Sequence, residues 1–188
     1  MGCLLLCFGI FQTTAQVRVP YKARTSQYTP LKKVYSINGD FTFIGNTNLT
    51  LVNYGVDSNN NNSLMRYVDV DNDPSTWNSS SADLAYSSEN GANNTCTKIV
   101  FAGLYWTGKS AADNSNDSSN EFSLTKMIDG HPVTKNFSKR KIFLKGPNSN
   151  AYSQFIAKED AIYYPNNSDA FIYSAYTEVT DFVRQNGI

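Results

Sequence analysis

The densest acidic cluster in the sequence is Asp69-Val70-Asp71-Asn72-Asp73, with three carboxylates at alternate positions. Hard cations such as calcium need several oxygen ligands drawn together, and a D-x-D-x-D spacing in a loop supplies them. The cluster is not a complete EF-hand, because Pro74 stands where that loop needs glycine and Ser80 where it needs a bidentate glutamate. In an extended chain Asp69, Asp71 and Asp73 share one face and repel unless an ion or the neighbouring asparagines offset their charge. Two readings stand side by side: a calcium site made by these three aspartates, or a solvated strand end with Asp73-Pro74 opening a turn.

Residues for covalent or acid–base chemistry are sparse, and no catalytic residue is expected. His131 is the single histidine, and Asp129-Gly130-His131-Pro132 reads as a hairpin turn. Glu121, Glu159, Asp160 and Glu178 are carboxylates of the kind glycoside hydrolysis uses, but spacing in sequence does not bring any two to the separation that chemistry requires. A glycine-rich phosphate loop, a nucleophile elbow and a zinc-protease helix are all missing from the sequence. Trp77, Tyr86, Tyr152, Tyr163 and Tyr164 fall in or beside loops, where flat rings can form a platform for a sugar face. Tyr105 and Trp106 read as core.

Sixteen basic and 16 acidic side chains give a formal charge of zero, which excludes the clustered cationic surface of a nucleic-acid binder. Hydrophobic residues make up 40% of the 188, enough for one buried core of ordinary size. The 22 Asn and 20 Ser favour turns and long loops between short strands. Leu4 to Phe11 form an apolar run followed by small and polar residues, the order of a secretory signal, although the basic n-region is missing. The run is too short to cross a hydrocarbon core, so no membrane span is expected. Cys3 and Cys7 fall inside that segment, so the exported chain retains Cys96 alone and has neither an intramolecular disulfide nor a zinc site.

The predicted organisation is therefore residues 1–16 as signal peptide, 17–33 as an extended basic leader, and 34–188 as a β-sandwich domain. Strands are expected at Phe41–Ile44, Leu49–Val52, Leu64–Asp71 and Ala82–Tyr86. Ile99–Trp106 is the strongest apolar run and is expected to be a central strand buried on both faces. Further strands are expected at Phe122–Ile128, Val133–Phe137, Lys141–Leu144, Tyr152–Ala157, Ala161–Tyr164 and Ala170–Tyr176, with a single helical turn at Val179–Val183. Short strands at this spacing with turn signals between them predict an all-β, two-sheet antiparallel sandwich. The closing Asn186-Gly187-Ile188 reads as a turn before a further strand, so the domain is expected to be incomplete at its C-terminus.

Three segments carry a resemblance. Asn38 to Asn46, Tyr67 to Leu84 (with Asp69-Val70-Asp71-Asn72-Asp73 and Thr76-Trp77-Asn78), and Ala102-Gly103-Leu104-Tyr105-Trp106 resemble the N-terminal region of large secreted cell-surface proteins of Bacteroidetes. Such proteins carry repeated sandwich domains behind this region and a terminus for type IX secretion or gliding motility. Separately, Tyr176 to Val183 followed by Asn186-Gly187 looks like the edge of a galactose-binding-like jelly roll. The resemblance implies an exported, non-catalytic N-terminal module of jelly-roll type at the cell surface, working in adhesion with a glycan or protein partner beside downstream domains of the same chain. The alternative is a carbohydrate-binding module of a secreted polysaccharide-degrading enzyme. No nucleic-acid partner is expected.

Overall fold

The computed structural model describes residues 23–55, 63–93, 95–109, 120–164 and 172–186. The expected signal segment 1–16 lies outside the described residues, as do 17–22 of the expected leader. The protein is all-β: the described residues form nine short strands in four small antiparallel sheets, with one α-helix following the last of these strands.

The first sheet pairs β1 (Leu49–Leu51) with β2 (Met65–Tyr67), Leu49 opposite Tyr67. β3 (Gly103–Lys109) belongs to a sheet completed by two later strands. β4 (Glu121–Ile128) and β5 (His131–Ser138) form a hairpin closed by Asp129-Gly130. Both turn residues have positive φ, 50° and 79°, as a two-residue turn matched to the strand twist requires. Along the hairpin Thr125 and Thr134 join hydroxyls at 2.7 Å, and Phe122 stacks on Phe137 on the opposite face. β6 (Lys141–Leu144) pairs with β7 (Ser153–Ile156). β8 (Ile162–Tyr163) and β9 (Ile172–Glu178) complete the sheet of β3, in the order β3-β9-β8.

The order of that sheet corrects the expectation for 99–106. β3 starts only at Gly103, alternates exposed and half-buried residues, and lies at an edge, while β9 is central and carries the buried Ala175, Tyr176 and Glu178. The reason lies in the partner strand. A Cβ on Gly103 would lie 3.0 Å from the Tyr176 ring, and one on Gly108 would lie 2.7 Å from the Tyr173 hydroxyl, so β9 supplies the bulk that covers β3. Ile99 and Val100 stay out of the strand because their carbonyls accept from Arg184, through Nε at 2.9 Å and Nη2 at 3.3 Å. Arg184 belongs to helix α1 (Thr180–Asn186), longer than the single turn expected, and forms an i,i+3 ion pair with Asp181.

Two other expected strands are absent. Phe41–Ile44 pairs with no strand among the described residues, and neither does Ala82–Tyr86. Alternation gives a segment the capacity for a strand, but a ladder also needs a neighbouring backbone.

Residues 24–29 are docked against β9 and α1. Ser26 is buried, donates from Oγ to Glu178 Oε1 at 2.6 Å, and lies beside Gln27, whose backbone N–H donates to Glu178 Oε2 at 2.9 Å. Thr180 Oγ1 adds a third bond to the same carboxylate at 2.8 Å. Arg24 lies over the Tyr176 ring, and Arg184 Nη1 donates to the Thr29 carbonyl. A buried carboxylate is tolerable only when its oxygens are bonded in this way.

Candidate functional site

β2 ends at Tyr67, so Asp69, Asp71 and Asp73 do not line one face of a strand, and the expected strand to Asp71 is shortened. They sit instead on a loop that leaves Val68 and returns at Ser79. The loop is closed by Ser79 N–H donating to the Val68 carbonyl at 3.0 Å and Val70 N–H donating to that of Ser79 at 3.3 Å. Asn72 takes positive φ, 51°, which lets the chain reverse.

Ser79 organises the inside of the loop. Its hydroxyl accepts from the N–H of Val70 at 2.9 Å and of Asp71 at 3.2 Å, and donates to Asp71 Oδ1 at 2.6 Å. Asp69 Oδ1, at 3.2 Å from the same hydroxyl, accepts from the N–H of Asn72 at 3.0 Å. Asp73 Oδ1 caps Ser75 N–H at 2.8 Å, and Thr76 N–H donates to the Asp73 carbonyl. The other oxygen of Asp71 accepts from the Tyr152 hydroxyl, which arrives from the segment before β7.

These bonds set the ionisation of the group. The Ser79 hydroxyl, followed by that of Tyr152, holds the Asp71 carboxyl far below the usual carboxylate range. Asp73 is lowered in turn, chiefly by Ser75. The Tyr152 phenol is pushed up to about 12, first by its bond to Asp71 and then by burial.

Trp77 anchors the loop to the hairpin. It is 6% exposed, meets Phe137 edge-on at 5.2 Å between centroids, and lies under the Lys135 ammonium at 5.6 Å. Lys135 Nζ also donates to the Ser75 carbonyl at 3.1 Å. The Trp77 indole N–H is buried with no hydrogen-bond partner among the described residues. Between this loop and the hairpin turn lies an open cleft of about 390 Å³, with Asp69, Asn72 and Asp73 on one wall and Lys126, Met127 and Asp129 on the other.

The structure brings the three aspartates into one loop but commits at least one carboxylate oxygen of each to the loop's own donors. No group of three His, Cys, Asp or Glu side chains placed to hold a metal ion is found among the described residues. The proposed sugar platform is dispersed: Trp77 is buried, Tyr152 serves Asp71, Tyr164 faces the Lys139 ammonium and bonds Asn120, Tyr163 lies in β8, and Tyr86 lies in an unpaired segment. His131 is exposed at the start of β5, opposite Ile128. Glu121 begins β4, Glu159 meets Arg140 at 3.7 Å, and Glu178 holds the N-terminal segment. Cys96 is free and exposed. Ser79, Lys126 and Lys135 had no signal in the sequence that tied them to the aspartates.

No helix among the described residues is long and apolar enough to cross a membrane. Comparison with protein-family models, curated proteins and solved structures returned no match to this chain.

Proposed function

We propose that this chain is a non-catalytic N-terminal module of an exported bacterial cell-surface protein, working in adhesion or surface interaction. The cleft between the 69–79 loop and the β4–β5 turn is the surface it presents to a glycan or protein partner. The observation that carries this reading is that the loop is held in shape from two other parts of the chain, by Tyr152 on Asp71 and by Lys135 on Ser75 and Trp77. A surface already ordered loses little conformational entropy when a partner docks. Carboxylates, an amide and an ammonium stand around apolar Pro74 and Met127, a mixture suited to a polar partner.

A two-sheet jelly-roll sandwich is the arrangement we infer for the four small sheets, and the antiparallel pairing of every named strand supports it. A carbohydrate-binding module of a polysaccharide-degrading enzyme has less support, because the buried Trp77 offers no ring face for stacking. Of the expected calcium ligands Asp69, Asp71 and Asp73, Asp71 has both oxygens bonded within the chain, which leaves one oxygen each of Asp69 and Asp73 and supports a loop that keeps its shape without the ion.

The test is binding of the full chain to a glycan array and to immobilised surface proteins, repeated with Lys126→Glu and Met127→Ala. A ligand whose affinity falls roughly ten-fold with Lys126→Glu is expected, about the effect of losing one good polar contact. A ligand indifferent to both substitutions, or no ligand on either surface, overturns the proposal.

A further inference from the structure

Away from the cleft, among the described residues, one segment has the pattern of a strand and no partner, and one strand has an open side. Phe41 is 77%, Phe43 87% and Ile44 50% exposed, and the two phenyl rings touch each other edge-on at 5.5 Å between centroids. Large apolar side chains at alternate positions of an unpaired segment, left in water, are an unmet demand for burial. β3, at the edge of its sheet, is paired only with β9 among the described residues, and Tyr105 on it is 66% exposed. An unpaired strand edge presents backbone donors and acceptors to any chain of matching pattern.

The two sequences match in one antiparallel register. With Asp40 opposite Lys109, Thr42 falls opposite Thr107 and Ile44 opposite Tyr105, all against the exposed face of β3. On the other face Phe41 falls opposite Gly108 and Phe43 opposite Trp106, where β3 is half-buried. The register thus sets an ion pair, a hydroxyl pair and an apolar pair on one side, and on the other an aromatic pair at Trp106 and Phe41 next to the Tyr173 ring that covers Gly108. Thr107 already donates its hydroxyl to the Tyr173 carbonyl of β9 at 2.7 Å, so in a pair with Thr42 it would act as acceptor. A shift of one residue turns both phenylalanines to the solvent face and breaks the charge pair.

We propose that residues 40–44 pair antiparallel with the β3 edge of a second copy of this chain. A second copy is the fitting occupant because each chain carries both halves, so two copies related by a two-fold axis exchange them reciprocally. The opposite charges of Asp40 and Lys109 set the register of that exchange.

The experiment is the solution mass of the full chain against concentration, with Phe43→Asp, Asp40→Lys, Lys109→Asp and the Asp40→Lys/Lys109→Asp double variant. All the changes lie at exposed positions, and far-ultraviolet circular dichroism checks that each variant folds. The expected result is a mass rising from 20.9 kDa towards twice that value, association lost with Phe43→Asp, and association weakened about three-fold by each single charge change. An equimolar mixture of the two single charge variants restores pairing, since each then meets its opposite on the other chain. A mass that stays monomeric, or a dimer indifferent to Phe43→Asp, overturns the proposal. So does rescue by the double variant without rescue by the mixture, which would place the pairing within one chain.

Discussion

Tyr152 donates its phenolic proton to Asp71 across 81 residues of sequence, and that bond ties the acidic loop to the sheet of β6 and β7. The loop supplies its own inner bonds through Ser79, but Tyr152 is the contact that reaches its acidic end from β7. Replacing Tyr152 with Phe keeps the ring and removes the donor. The expected loss is about 1 kcal/mol of stability, typical of a hydrogen bond to a charged acceptor in a partly exposed setting. Urea unfolding of the variant measures it, and an unchanged midpoint would show that the bond adds nothing to the fold.

The same pair predicts opposite behaviour at the two ends of the pH scale. The carboxyl of Asp71 ionises more readily folded than unfolded, so its contribution is complete above pH of about 4 and fades as pH falls towards its depressed folded value. Tyr152, pushed up to about 12, is the reverse case: its contribution is complete below pH of about 10 and is lost as pH rises through about 12. Tyr176 adds to the alkaline loss, since burial first of all pushes it up to about 12. Melting temperature against pH should fall in both windows, and Tyr152→Phe should flatten the alkaline arm in part.

Glu178 predicts the fate of the N-terminal segment. Substituting Glu178 with Ala removes the acceptor of Ser26, Gln27 and Thr180 together, and the loss should reach about 2–3 kcal/mol. Trypsin cleavage after Arg24 should accelerate in this variant, because the segment leaves Tyr176 and Glu178. Cleavage at the parental rate would show that Arg24 over Tyr176 and Arg184 on Thr29 hold the segment without Glu178.

Calcium is a separate question. Because the loop bonds its own carboxylates, we expect the full chain to melt at the same temperature in calcium and in chelator. A rise of several degrees with calcium would place the ion on Asp69 and Asp73, since a ligand of the folded state stabilises by mass action.

The legible parts of the fold were those encoded locally. β6 was read at Lys141–Leu144, as found, and the β4–β5 hairpin followed from Asp129-Gly130 between two alternating runs, because a two-residue turn fixes its own strands. The run ending at Trp106 was misplaced because apolar residues alone do not separate an edge strand covered by a neighbour's tyrosines from a central one. Phe41–Ile44 shows the complementary error, alternation without a ladder. At the candidate site the three aspartates stood out by spacing, yet what holds them came from Ser79 and Tyr152, and no rule of spacing connects Asp71 to a phenol 81 residues away. The sequence marks Trp77 as a loop aromatic, but its burial depends on Phe137 and Lys135 arriving from the hairpin.

The bonds around Glu178 also give the molecule a mechanical character. Residues 24–29 and helix α1 meet at the same end of the β3–β9 ladder, joined by Ser26 to Glu178 and by Thr29 to Arg184. A pull applied between residues 23 and 186 therefore loads this clasp before it loads the seven-residue pairing of Gly103–Lys109 with Ile172–Glu178. The bonds of Ser26 and Gln27 to Glu178 and of Arg184 to Thr29 are then the first expected to part, before the longer ladder behind them.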